Sequence, residues 1–517
     1  MTNCANDLHG PYLGLDGWIY WTKGAFAEQT YERPGREPFV TRAAHIFRRR
    51  AEGGPVEHVL TGGMDNPVEV AFTPEGERLL TSTFLIHPQL GKRDGILHAI
   101  YGGVYGKAHG VTDSHPMTGG YLSIMTHMGG AAPVGLERYE SGVFGESYRG
   151  RLFATSFNLR KVSSHRLVPK GATFETEDAD FLVSESRDFH PTDVMEDADG
   201  SLLVVDTGAW YKLCCPTAQL TKPDLLGAIY RIRKKGTVPP DDPLGHAIDW
   251  RTAGSRALTE LLDDQRPAVR KRAITALAKG EAVGALRDAL ANGGSAGVRR
   301  NAVWALTRIE TEAARSAVRL ALADEHAGVR QAALHSVALH RDAKAVNEAV
   351  QLLRDPSDAV KRVAAEALGR ISDSAAVAPL LEAVALTKGE VLTHSLVYAL
   401  IEIADASRTR AGLKSASART RRAAMIALDQ MRPAALGPSV VLSRLDSQSE
   451  PEAQAAQWIA SRHPEWGGQL AGYLGRRLAG LDGSRSEELL QQLSDFSGHE
   501  AIQALLARTV LGNAPAA

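Results

Sequence analysis

The sequence predicts a multidomain protein, all-β and then all-α: a partial β-propeller followed by an α-solenoid. Three observations carry this. Up to about residue 235 the chain is rich in Gly, aromatic and β-branched residues and repeats one strand–turn–strand plan. Beyond about residue 253 it is rich in Ala, Leu and Arg and repeats an amphipathic helical pattern. Between them, Lys234-Lys235-Gly236-Thr237-Val238-Pro239-Pro240-Asp241-Asp242-Pro243-Leu244-Gly245 has the Pro, Gly and charge content of an exposed linker. The expected organisation is therefore a propeller over 1–235, a linker over 236–252, a solenoid over 253–510 and a tail over 511–517.

In the first half, four segments share a strand, a tight turn built around Asp or Glu with Gly, and an apolar strand. Their turn glycines are Gly17, Gly76, Gly150 and Gly200, spaced 59, 74 and 50 residues apart. A further strand follows each unit, as in Ala44-His45-Ile46-Phe47-Arg48 and Ala228-Ile229-Tyr230-Arg231-Ile232-Arg233. This is the plan of four-stranded propeller blades carrying insertions. Because the chain opens inside a blade motif, at Asn6 to Gly24, upstream blades are expected to be missing.

In the second half, Val269-Arg270, Val298-Arg299, Val329-Arg330 and Val360-Lys361 each open an Ala-rich run, at intervals of 29, 31 and 31 residues. Within one run, Val360, Val363, Ala364, Ala367 and Leu368 recur at helical spacing. A single helix pair cannot bury its own apolar face, so the pairs must stack. Asp355-Pro356-Ser357-Asp358-Ala359-Val360-Lys361-Arg362 resembles HEAT-like repeats of the short kind. The Arg or Lys after each Val reads either as a ligand ladder or as a helix-start charge paired with the Asp of a neighbouring turn.

Composition limits function. The 517 residues hold 59 Lys and Arg against 60 Asp and Glu, a net charge of -1, so the electrostatic pull of a nucleic-acid binder is missing. No stretch is long and apolar enough for a membrane-spanning helix. Met1-Thr2-Asn3-Cys4-Ala5-Asn6-Asp7 lacks the pattern of a secretory signal, so the chain as written reads as cytosolic. The three cysteines, Cys4, Cys214 and Cys215, form neither a zinc nor a haem spacing. Cys214 and Cys215 are either a vicinal disulfide, which needs an oxidising compartment, or two unlinked thiols.

A propeller places its ligand site where the first strands of the blades and their loops converge. The polar residues there are Asn6, Asp7 and His9; Asp65, Asn66 and Glu69; and His190, Thr192 and Asp193. Taking the proton of an alcohol needs a base that titrates near neutrality, and His9 and His190 are the candidates, with Asp193 orienting the ring. An insertion after the last hairpin, with Trp210, Tyr211, Lys212 and the Cys214-Cys215 pair, reads as a platform under a planar ligand or as a packed loop. Asp16, Glu75 and Asp199 in the hairpins suggest calcium, although carboxylates in tight turns usually bond their own backbone.

Leu8-His9-Gly10-Pro11-Tyr12-Leu13-Gly14-Leu15-Asp16-Gly17-Trp18-Ile19-Tyr20, followed by Gly62-Gly63-Met64-Asp65-Asn66-Pro67-Val68-Glu69-Val70, resembles the soluble quinoprotein glucose/sorbosone dehydrogenases, which are six-bladed propellers. The domain order is similar to that of the large membrane-bound or exported dehydrogenases of planctomycete-type bacteria. The resemblance implies export, oxidation of a sugar or alcohol, pyrroloquinoline quinone (PQQ) as cofactor and calcium as electrophile. It implies binding roles for Asn6, Asp65, Asn66 and Thr192. Two positions depart from the family pattern: Asn6 stands for its His, and Asp65 for the Arg that faces the quinone carboxylates. An anion beside a tricarboxylate repels it. No haem motif is present, so an electron acceptor would be a separate protein such as a cytochrome docked on the solenoid.

Two functions stay open at this level. One is a sugar or alcohol dehydrogenase-like propeller with a HEAT-repeat interaction domain. The other is a propeller without chemistry that binds a carbohydrate, glycan or protein and is fused to a solenoid scaffold.

Overall fold

The computed structural model describes residues 8–33, 35–86, 91–208, 222, 224–479, 489–490, 493–494 and 496–512. The chain divides into two compact units, one of Met1–Ile371 with Lys388–Ser395, the other of Ser372–Thr387 with Leu396–Ala517.

The first unit begins with β1 (Leu8–Leu13), β2 (Trp18–Lys23), the hairpin β3 (Gln29–Arg33) and β4 (Arg36–Thr41), β5 (Ala44–Arg50) and β6 (Gly53–Gly62). Next come β7 (Asn66–Phe72), β8 (Arg78–Thr83), β9 (Asp94–His98), β10 (Val104–Tyr105) and β11 (Thr126–Gly129). Then follow β12 (Pro133–Arg138), β13 (Leu152–Ser156), β14 (Lys161–Lys170) and β15 (Thr173–Val183), and finally β16 (Pro191–Glu196), β17 (Leu202–Asp206) and β18 (Ala228–Ile232). They pair as four successive sheets, β1-β2-β5-β6-β10, β7-β8-β9-β11, β12-β13-β14-β15 and β16-β17-β18. Their first strands β1, β7, β12 and β16 lie side by side in that order. No ladder joins one of these sheets to the next, and no closed barrel or propeller is found among the described residues. After β18 the chain turns to helices, and no further described strand is available to close it.

One local device recurs along the first strands. Pro11, Pro67, Pro133 and Pro191 stand on them, and each ladder slips at that point: between His9 and Tyr12, Pro67 and Val70, Pro133 and Leu136, and Pro191 and Asp193. Proline has no N–H to give to the ladder, so a bulge forms there and re-aims the following side chains. Buried threonines on the second strands then staple sheet to sheet. Thr22 donates to the carbonyls of Pro67 (2.7 Å) and Val68 (2.9 Å), and Thr81 to that of Val134 (2.7 Å). Thr81 also accepts the Glu69 N–H, and Thr155 the Gly135 N–H, so the bulges of β7 and β12 have these donors satisfied.

The helical repeats of this unit are α1 (Ser255–Glu260), α2 (Pro267–Lys279), α3 (Val283–Asn292), α4 (Ala296–Thr307), α5 (Glu312–Leu320), α6 (Ala327–His340), α7 (Val346–Leu352) and α8 (Asp358–Ile371). In two repeats the cation after the repeated valine ties one repeat to the next, Arg299 meeting Asp324 and Arg330 meeting Asp355, each at 2.7 Å; Lys361 pairs with Asp358 of its own helix (2.9 Å) and Arg270 with Glu140 (3.1 Å). All four cations are thus engaged by carboxylates of the chain itself.

The residue one position further on faces the sheets. Lys271 reaches Glu140 (3.0 Å), Arg300 reaches Glu75 (3.2 Å), and Gln331 and Arg362 both reach Glu77. One and two turns later on the same helix faces, Trp304 donates to the carbonyl of Pro74 (2.8 Å), Arg308 to that of Leu15 (3.0 Å), and Arg370 pairs with Glu57 (2.9 Å). Leu339 enters the apolar core of Trp18, Tyr20, Ile46 and Leu60. Residues four apart on a helix share a face, so one face of each helix, up to three positions deep, packs on the sheets and their turns.

The second unit repeats the same tie with another acid. In it, α9 (Val377–Leu386) lies before α10 (Glu390–Ile403), whose first turn belongs to the first unit; α11 (Ala406–Thr409), α12 (Ala418–Gln430), α13 (Pro438–Leu442), α14 (Glu450–Ser461), α15 (Gly467–Ala479) and α16 (Glu500–Gly512) follow. Arg421 of α12 meets Glu452 of α14 at 2.8 Å, with Arg444 on the same carboxylate at 2.6 Å.

Candidate functional site

The bulges bring Glu69 of β7 and Asp193 of β16 together across Gly135 of β12. A Cβ on Gly135 would stand 2.7 Å from the Asp193 Cα, so only glycine lets β12 and β16 approach this closely. Glu69 accepts the Leu136 N–H at 2.9 Å and Asp193 accepts the Val194 N–H at 2.8 Å, and the two carboxyls are close enough to shift each other's titration. Burial raises the proton affinity of both, and for Glu69 the charge of Asp193 adds to it. Two like charges in this place cannot both ionise near neutrality. The pair as a whole is therefore held towards its protonated form. Tyr12, donating to the Val68 carbonyl at 3.1 Å, is held as the neutral phenol by burial and by these two acids.

The acidic character continues along the first strands. Burial pushes Glu137 of β12 up to about 8, against the pull of Lys271. Glu196 is raised by burial too, and it takes the N–H groups of Glu140 (2.5 Å) and Ser141 (2.8 Å). Lys271 and Arg270 of α2 bind Glu140 at 3.0 and 3.1 Å, placing cations at that end of the row.

Stability follows from these directions. A carboxyl whose folded pKa is raised is best tolerated protonated, so its contribution is whole below the ordinary carboxylate range and fades as pH rises through the folded pKa. The urea midpoint of the wild type is expected to fall from about pH 5 to about pH 9. Glu69→Gln, which keeps the neutral shape, should flatten that decline; an unchanged slope would show that Glu69 is ionised in the fold.

The sequence-predicted residues fall as follows. His9 is half-buried on β1. Asn66 begins β7, its carbonyl accepting from Ser82 at 3.2 Å. Asp65 is bound by Lys107 at 2.6 Å. Thr192 lies in the bulge of β16 and donates to the Val205 carbonyl at 3.5 Å. The His190 ring stacks on Phe157, centroids 4.6 Å apart. The Asp193 carboxyl is found instead with Glu69, two sheets away across Gly135. Asn6, Trp210, Tyr211, Lys212, Cys214 and Cys215 lie outside the described residues.

The residues present do not fit a quinone tricarboxylate. The position expected to hold a cation is Asp65, its carboxylate paired with Lys107, and the nearby first strands add two further carboxyls, Glu69 and Asp193, which offer a tricarboxylate no attraction. Nor do three or more His, Cys, Asp or Glu gather into a metal-holding group among the described residues. The hairpin carboxylates serve their own turns or a nearby Arg: Asp16 takes the Trp18 N–H (2.9 Å) and the Tyr20 hydroxyl (2.7 Å), Asp199 the Ser201 N–H (2.9 Å), and Glu75 pairs with Arg300.

The sheet-gripping residues Lys271, Arg300, Gln331 and Arg362 had a sequence signal, a polar side chain two positions after every repeated valine. It was masked by the more conspicuous cation one position earlier.

Residues 255–338 and 316–401 match the family of HEAT repeats, and residues 2–236 match a family described as a domain of unknown function, DUF7133. No curated protein matches the chain. Among solved structures, similarity is found to a chain of the Kap95p–RanGDP complex, at 13% identity, 47% of this chain, 39% of that chain and a TM-score of 0.35. The chain thus spans well under half of that relative. An Escherichia coli protein, YIBA, is 19% identical over 52% of this chain and 99% of its own, TM-score 0.29. A designed armadillo repeat protein in complex with a (KR)4 peptide is 18% identical over 41% and 99%, TM-score 0.27.

Proposed function

We propose that this protein is a ligand-binding module without chemistry of its own, four propeller-type blades carried on a HEAT-repeat scaffold. The observation that carries the reading is the Glu69–Asp193 pair. A protonated carboxyl that donates beside a carboxylate that accepts is the donor–acceptor set that a vicinal diol presents in reverse. The ligand class is therefore a hydroxylated small molecule, a sugar, polyol or glycan end. The inner helix faces of the first unit are taken up by the chain's own sheets. The helices of the second unit are those we assign to a partner protein.

Titration calorimetry with a panel of monosaccharides and polyols tests this. Saturable binding is expected for the wild type, with Asp193→Asn weaker by about tenfold or more, the value of one hydrogen bond to a charged group. If no member of the panel binds, or Asp193→Asn and Glu69→Gln both leave affinity unchanged, the reading fails. A second reading, oxidation at a CH–OH group, draws on the Asp193 carboxylate as a proton acceptor. Reduction of an artificial dye by the wild type and not by Asp193→Asn would favour it over binding alone.

A further inference from the structure

In the first unit a fixed position on each helix grips the sheets. Five places after Ser295, which caps α4, stands Arg300, bound to Glu75; nine places after it stands Trp304, which donates to the Pro74 carbonyl at 2.8 Å. The residues that correspond to Arg300 on α2, α6 and α8 are Lys271, Gln331 and Arg362, held on Glu140 and Glu77. What α4, α6 and α8 hold is one tight turn, with Glu75 and Glu77 on either side of Gly76. Glu77 spans two neighbouring helices, α6 and α8.

The second unit carries the same register on two helices, and there it holds no turn among the described residues. Ser417 caps α12, and the fifth place is Arg422; Ser449 caps α14, and the ninth is Trp458. Arg421 and Glu452 tie these helices side by side. Trp458 is half-buried, with Arg462 over its ring at 5.1 Å, whereas Trp304 is 2% exposed under its hairpin. Arg422 is half-buried and meets no carboxylate among the described residues: burial alone acts on it, pulling its pKa down. The acids of the two helices are taken, Asp429 by His463 (2.7 Å), Glu452 by Arg421 and Arg444, and Glu450 by Gln454 (3.0 Å). A desolvated cation without an anion is unfavourable, and a carboxylate brought to it removes that cost.

We propose that Arg422 and Trp458 are a docking site for a tight β-turn of a partner protein, which sets a carboxylate on Arg422 and a turn carbonyl on the Trp458 indole N–H. This rests on the assignment of the second unit's helices to a partner, and states what that partner presents. Register and charge choose the occupant. The corresponding cations of the first unit, Lys271, Arg300 and Arg362, all hold carboxylates, and the corresponding indole holds a turn carbonyl. A second copy of this chain is the poorer occupant, because its Glu75, Glu77 and Glu140 are already held by its own helices.

The chain's own turn serves as the probe. Val70 pairs with Leu80, so a fluorescein-labelled peptide of Val70–Leu80, VAFTPEGERLL, can be closed by a disulfide between cysteines added at its ends. It is added to the full-length protein beside a closed form with both Glu replaced by Gln, a linear form, and a helical peptide of Glu and Ala. The closed acidic peptide is expected to bind at least about tenfold more tightly than the Gln form, and Arg422→Gln to lose the same factor. Trp458→Phe is expected to weaken binding about threefold or more. Amide exchange should slow in α12 and α14 and not in α4, which separates docking here from displacement of the chain's own hairpin. Arg422→Gln is expected to keep or raise the urea midpoint; should it misfold, the Glu and Gln peptides on the wild type carry the same comparison. Equal affinity of those two peptides, undiminished binding by a folded Arg422→Gln, or slowed exchange in α4 in place of α12 overturns the proposal. Equal or tighter binding of the linear or helical peptide at α12 overturns the turn and keeps the second unit as a partner surface. Unchanged exchange throughout the second unit with every peptide overturns both. A concentration-dependent dimer that protects α12 and α14 makes a second copy the occupant and overturns the proposal as well.

Discussion

Glu77→Ala lowers the unfolding free energy of the first unit by about 3–5 kcal/mol, the cost of leaving a buried cation without its partner. Glu77 is 1% exposed and Arg362 fully buried, and the two are paired. The same carboxylate takes Gln331 on one oxygen and His98 Nε2 (2.6 Å) on the other, with His335 at 3.5 Å. Burial alone would raise its pKa, yet Arg362 and His98 hold it well below the carboxylate range. The linkage sign follows: the contribution of Glu77 is present above the ordinary carboxylate pKa and disappears as pH falls through the depressed value. Removing the carboxylate strands Arg362, whose other partner, Glu366, lies 3.8 Å away and is shared with Arg78 at 3.6 Å. Glu77→Leu with Arg362→Met, which removes both charges and keeps volume, should cost much less. Urea denaturation followed by circular dichroism reads all three proteins, and a loss under about 1 kcal/mol for Glu77→Ala would show that water reaches this pair.

Trp304→Ala is expected to cost about 3–5 kcal/mol in the same assay, through the cavity it opens under the second hairpin. The indole is 2% exposed and covers Gly76, where a Cβ would meet it at 2.7 Å. The hairpin glycine has a φ of +99°, so the turn that Trp304 caps also needs a residue that tolerates that conformation. Trp304→Phe keeps most of the apolar area and loses the bond to the Pro74 carbonyl, and should cost about 1 kcal/mol beyond its smaller volume. Because Glu77 and Trp304 hold one turn, the double alanine variant is expected to fall short of the sum of the two. Strict additivity would mean that the hairpin is anchored at two independent points.

These two residues illustrate what a single sequence conceals. The repeats of the second half were legible, because a period near 30 residues with Val, Ala and Leu at helical spacing leaves few other folds. So was the strand–turn–strand plan of the first half, through its turn glycines. Glu77 and Arg362 stand 285 positions apart, and no local pattern links them. Trp304 reads as one more apolar residue of an amphipathic run.

The candidate site divides in the same way. Glu69 and Asp193 were each recognisable as polar residues near the start of a first strand. Their partnership was not, because side chains alternate regularly along an ideal strand, and proline-induced bulges break that alternation. Asp193 was therefore expected beside His190, its neighbour in sequence, and was found beside Glu69, 124 residues earlier.

Local chemistry, then, determined the elements: proline, glycine and apolar spacing act over a few residues and can be read from the sequence alone. Tertiary structure alone decided what those elements do to each other. It turned one helix face of the first unit's repeats towards the chain's own hairpins and brought two carboxyls from separate sheets into one site. Each of these depends on Coulomb, desolvation and packing terms between groups tens to hundreds of residues apart, which the order of residues specifies only through the folded geometry.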